Sequence, residues 1–174
     1  MSLKDILQGK WFGHPLHPAL VHVPTGLFPA ALIFDLVSRS GGGSNVAVRI
    51  SFAAIAVGVV AALAAAPTGL ADWWEIKPQK PAHKLGLWHM VLNIAVLLVM
   101  IASFVIRWRD GLDARMVSIP ALSLCAVANI VLAASGYLGG RMVYDHGVSV
   151  ARMSKKYWRR IALEGKAKLP PEEG

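Results

Sequence analysis

Four apolar stretches, each close to the length of a membrane crossing, constrain this chain more than any other feature. They run over about residues 19–37, 46–70, 85–106 and 116–138. A hydrocarbon core of ~30 Å needs about 20 apolar residues of helix to cross it. Asp35 and Arg49 lie near segment ends, and the interiors carry no other charge. Four buried helices of a soluble protein would each keep a polar face at helical spacing, and the last three segments have almost none. Hydrophobic residues make up 55% of the chain and charged residues 16%, a balance that fits a small membrane bundle. Backbone groups in lipid must bond within their own segment, so the segments are expected to be helices.

The connections SRSGGGSN, DWWEIKPQKPAHK and RWRDGLDAR are short and turn-like. Short connections make neighbours antiparallel. The expected fold is therefore all-α, an integral-membrane, up-down-up-down four-helix bundle. Three parts follow: an interfacial N-terminal arm over 1–18, a transmembrane domain over 19–140, and a basic interfacial tail over 141–174. The opening MSLKDILQGKWF has neither the apolar core nor the cleavage site of a signal peptide. It reads as an amphipathic segment with Leu3, Ile6, Leu7 and Trp11 toward lipid and Lys4, Asp5 and Lys10 toward water. In the tail, Val150, Met153, Tyr157, Trp158 and Ile161 would line one side of a second interfacial helix.

The net charge is +8, and most of the 18 Lys and Arg residues flank one side of the membrane, with the two termini and the second connection. Only Arg39, Arg49, Arg107, Arg109 and Arg115 flank the other. This asymmetry predicts a multi-pass protein of the cytoplasmic membrane with both termini in the cytoplasm. The basic residues sit in loops and tail, which points to lipid headgroups rather than nucleic acid. Cys125 is the one cysteine, so an internal disulfide and a four-cysteine zinc or iron–sulfur site are excluded. No CxxCH occurs, which removes covalently attached c-type haem.

All six histidines reach one face of this topology. His14, His17 and His22 lead into the first helix, His83 and His89 into the third, and His146 follows the fourth. His14 and His17 precede prolines and are expected to be extended. Pro18 suits a first helical position, and Pro24 and Pro29 would loosen the helix beyond it. His22 is expected to point inward at the depth of His89, which has Asn93 one turn further on. A lone interfacial histidine more often just satisfies its ring with water, headgroups or backbone, and His83 is read that way. Gly26, Gly86, Gly136, Gly139 and Gly140 allow either close helix packing or room for a flat guest.

Neutral imidazole ligates haem iron, copper and zinc. Neither a Glu-x-x-His pair nor HExxH occurs, so di-iron and zinc-hydrolase sites lack their signatures. A b-type haem needs one or two histidines facing across the bundle, an apolar slot and cations for its propionates. The expected axial ligands are His22 and His89 beside Asn93. Lys84 and Arg141, with Lys10, would meet the propionates, and Asp72 and Asp145 would orient ligand rings. The expected function is membrane electron transfer, b-type cytochrome-like, with quinone or a redox protein as partner. The alternatives are copper or zinc held among His14, His17, His22, His89 and His146, and a cofactor-free accessory subunit of a larger membrane complex. No catalytic residue is assigned.

GHPLHPALVHVPTGLF, TGLADW, HMVLN and GYLGGRMVYDHGV, in that order, resemble the motifs of a bacterial family of predicted membrane proteins, domain of unknown function 2231. The resemblance runs from about Gly13 to Val150. It implies four transmembrane helices and an uncharacterised role, and some members are fused to a Rieske iron–sulfur domain. By position, the residues it singles out are His14, His17, His22, Asp72, His89, Asn93, Gly140, His146 and Gly147. It does not decide between haem and another metal.

Overall fold

The computed structural model describes residues 1–148, 160 and 162–165. A short helix α1 (Leu3–Leu7) is followed by a 3₁₀ turn (Lys10–Phe12) and four long helices: α2 (Leu16–Arg39), α3 (Asn45–Trp73), α4 (Pro81–Asp110) and α5 (Ile119–Tyr144). Among the described residues there is no strand. Each long helix is apolar and long enough to cross a membrane. Large apolar side chains such as Leu36, Val60, Leu98 and Ile130 face outward, as a lipid-facing belt requires.

Every long helix but α5 begins before its expected apolar segment, and every one ends beyond it. Hydropathy marks the hydrocarbon core, whereas a helix stops only where its ends are capped. Ser44 caps α3 through its side chain, Pro81 opens α4, and Gly111 ends it with φ +85°. Pro24 and Pro29 do not break α2, and Pro24 is buried within it. Nor is His17 extended: α2 already includes it, with Pro15 as the N-cap. Pro18 falls in the first turn, where its missing N–H has no carbonyl to meet, and this outweighs its bias on the preceding residue.

α2 packs along α3, and α4 along α5, giving two helical hairpins that touch each other more lightly. α2 and α4 lie on one diagonal of the bundle and run the same way. The core between them holds Phe28, Ala31, Ile55, Met100, Cys125 and Ala128. Gly58 makes the packing possible, because a Cβ there would lie 2.5 Å from the Phe28 ring.

α1 carries a capping box. The Ser2 N–H and hydroxyl donate to Asp5 Oδ2 at 2.9 and 2.7 Å, and the Asp5 N–H donates to Ser2 Oγ. Lys10 reaches Asp5 and Glu75, and Lys4 also reaches Glu75, tying the arm to the end of α3. Leu3, Ile6 and Trp11 are exposed, and Leu7 is half-buried. The Ser2 bonds and then Lys10 hold the Asp5 carboxyl down to about 2. A carboxyl lowered in the folded state stabilises at pH above its unfolded value, about 3.9, and that help disappears as pH falls through the folded value. Amide protection in α1 is thus expected to hold down to pH ~4 and to fall between ~4 and ~2. Hydrogen exchange checks this, with Asp5→Asn removing the pH dependence.

The tail expected over 141–174 begins within the last turn of α5, and the expected apolar stripe of Val150, Met153, Tyr157, Trp158 and Ile161 lies outside the described residues. Within the tail Arg160 and residues 162–164 are helical.

Candidate functional site

Where the hairpins meet at the histidine face, His17 of α2 and His89 of α4 confront each other across the bundle. Their ring centres are 6.5 Å apart and their planes stand at 89°. His17 Nδ1 lies 3.1 Å from the Ala65 carbonyl and 3.3 Å from Thr68 Oγ1. His89 Nδ1 lies 2.8 Å from the Ser135 carbonyl. A carbonyl only accepts, so each Nδ1 carries the proton and each Nε2 keeps its lone pair. Asn93 donates from Nδ2 to Ser135 Oγ at 2.7 Å and to His89 Nε2 at 3.1 Å.

Each ring rests in a glycine notch of its own hairpin. A Cβ on Gly69 would lie 2.6 Å from His17 Cε1, and one on Gly139 would lie 2.9 Å from His89 Cε1. In both hairpins the glycine comes four residues after the carbonyl that orients the ring, Ala65 before Gly69 and Ser135 before Gly139. The two hairpins therefore match at these positions. α4 repeats α2 at an offset of 72 (17 to 89, 28 to 100, 35 to 107), and α5 repeats α3 at 70 (65 to 135, 69 to 139).

The same repeat puts Asp35 and Arg107 together at the far face, both fully inside the bundle. Arg107 Nη1 and Nη2 donate to the two Asp35 oxygens at 2.7 and 2.6 Å. Its remaining donors reach Ser51 Oγ, Ser103 Oγ and, at 3.5 Å, the Ala121 carbonyl. All five guanidinium donors are thereby used, which is what a buried arginine requires. The sequence reading missed this pair. Its signal was the matched spacing, an ionisable residue 18 positions after each inward histidine.

The other expected residues take different places. His22 is exposed, and its Nδ1 lies against the Pro18 carbonyl. The ring facing His89 is that of His17 instead. His14 is exposed before α2, next to Phe12. His83 packs at a tilt against Trp73, whose Nε1 donates to the His83 carbonyl. Arg141 is paired with Asp145 at 2.9 Å, and Lys84 is exposed. Asp72, Glu75, Lys80, Asp145 and His146 line a separate cavity of about 530 Å³ at the histidine end of the bundle. Backbone carbonyls, rather than Asp72 or Asp145, orient the two facing imidazoles. Gly26 and Gly136 border open space, and the notch at Gly86 is filled by Trp73. Among the described residues no three His, Cys, Asp or Glu side chains converge to hold a metal ion.

The sequence profile of a family described as a predicted membrane protein (DUF2231) matches residues 13–152. No curated protein shows significant similarity to the chain. No solved structure does either.

Proposed function

Since the chain belongs to the DUF2231 family of predicted membrane proteins, whose description names no chemistry, we propose from its own side chains that it is a b-type cytochrome-like electron-transfer protein, with haem between its hairpins and His17 and His89 as axial ligands. One observation carries this reading: two imidazoles from separate hairpins, each with its Nδ1 turned to a carbonyl, stand 6.5 Å apart. Two metal–nitrogen bonds of about 2 Å, with about 1 Å from each nitrogen to its ring centre, set centres about 6 Å apart. A carbonyl-bound Nδ1–H is the usual arrangement of a ligating histidine, because it fixes the tautomer and aims Nε2.

The two-ligand count also favours haem over zinc. A structural zinc ion wants four ligands and a catalytic one three, and no such group forms among the described residues. Haem iron needs only its axial pair from the protein and would supply one-electron chemistry at this depth. Light contact between the hairpins leaves their seam as the place for a flat group. Ligation requires Asn93 to give up its contact with His89 Nε2. The excess of Lys and Arg on the histidine face supports a cytoplasmic side for it. A quinone or a redox protein would then exchange electrons there.

The test is an absorbance spectrum of the purified protein, oxidised and then reduced, beside a metal count. A Soret band with stoichiometric haem is expected. His17→Ala and His89→Ala should each abolish or shift it, whereas His22→Ala and His83→Ala should leave it unchanged. Bound haem indifferent to both core variants would falsify the assignment. Copper without a Soret band would replace haem by a two-imidazole copper site. Neither metal nor haem would leave an accessory subunit.

A further inference from the structure

The hydrogen bonds between the two hairpins are distributed unevenly along the bundle. At the far face they are dense. Arg107 of α4 holds Asp35 of α2 and Ser51 of α3. The Val117 N–H donates to Ser38 Oγ at 3.1 Å, and Arg39 Nη1 donates to the Val117 carbonyl at 2.7 Å. The Ser44 N–H reaches the Arg115 carbonyl at 2.7 Å, and Arg49 reaches both Leu112 and Asp113. Between α2 and α5 the series stops at mid-depth, where Asn129 Nδ2 donates to the Phe28 carbonyl at 3.2 Å. Nearer the histidine face those two helices share none among the described residues.

The opposite seam is closed at that face. A short connection joins α3 to α4, and Trp73 bonds the His83 carbonyl and fills the notch at Gly86. Among the described residues the α2–α5 seam has no such tie. At its inner edge His17 and His89 touch only through ring contact, each hydrogen-bonded within its own hairpin.

We infer that the hairpins are clamped at the far face by Asp35–Arg107 and its neighbours, and part along the α2–α5 seam at the histidine face. A flat apolar ligand then reaches the paired imidazoles sideways from the bilayer. Buried charge pairs with every donor used resist separation, whereas apolar helix contacts in lipid have no hydrophobic drive holding them together. The part played by the opening rests on the haem reading, but the hinge itself does not.

Pairs of spin labels in a Cys125→Ala background, reconstituted into lipid nanodiscs, test this directly. Ala19 with Tyr137 reports the α2–α5 seam at the histidine face, and Leu36 with Ile119 reports the far face. All four are exposed. In protein prepared without haem, the first distance distribution should be about twofold wider than the second and should narrow when haemin is added. Asp35→Asn should widen the far-face distribution. Equal widths at the two faces, or a far face indifferent to Asp35→Asn, would overturn the hinge. A wide histidine-face distribution that ignores haemin would keep the hinge and defeat the haem reading.

Discussion

Arg107→Leu is expected to destabilise the bundle by about 3–5 kcal/mol, because it leaves the Asp35 carboxylate buried with no cation beside it. Asp35 and Arg107 are 0% and 3% exposed, so neither can turn to water without unpacking its helix. The loss should appear as a lowered unfolding midpoint in detergent. Asp35→Leu should do comparable damage by stranding the guanidinium. Combining Asp35→Leu with Arg107→Leu should restore most of the stability, since no isolated charge then remains. The internal repeat adds a sharper test. Exchanging the partners, Asp35→Arg with Arg107→Asp, puts each group at the equivalent position of the other hairpin. That double variant should fold, falling short of the original by about 1 kcal/mol for each arginine hydrogen bond to Ser51 and Ser103 that is not rebuilt. An exchanged protein no more stable than either single variant would argue against the equivalence of the two halves.

Gly69→Ala and Gly139→Ala should separate binding from folding. The added methyl meets the tip of an imidazole, a group that can swing aside, so the fold should survive within about 1 kcal/mol. The ring, however, must move by about 1 Å to restore ordinary contact. Losing the orientation of a metal ligand typically lowers affinity about 10–100-fold. Haem occupancy at limiting haemin should drop accordingly, while Gly26→Ala and Gly136→Ala, which border open space, should change nothing. Equal occupancy in all four variants would remove the glycine notches from the site.

The four helices and their antiparallel order were legible because bilayer thickness and short connections leave little choice. The gathering of the histidines at one face followed from that order. Which histidines pair was not read correctly from segment depth alone. His22 lies five positions after His17, which turns them about 140° apart around a helix. Depth favoured His22, but rotation decides the matter. The buried positions of α2 are Pro24, Phe28, Ala31, Asp35 and Ser38, spaced by three and four. That stripe runs back to His17 and misses His22. The stripe of α4, through Gly86, Val96, Met100, Ser103 and Arg107, likewise includes His89. Its small and polar members were the usable signal, hidden because the lipid-facing sides are as apolar as the core. The glycine notches were harder to see. Gly69 was not singled out, and only the neighbouring ring distinguishes it from a packing glycine.

The repeat has one further consequence, for how such a molecule can be encoded. Two identical hairpins associating about a two-fold axis would bring each axial residue against its own copy. Acid would then face acid, or base face base, in a medium that tolerates neither. A single polypeptide whose halves have diverged escapes this, because it can place a carboxylate on one side of the axis and a guanidinium on the other. Covalent linkage of unequal halves is thus what permits a neutral seal where strict symmetry would force repulsion.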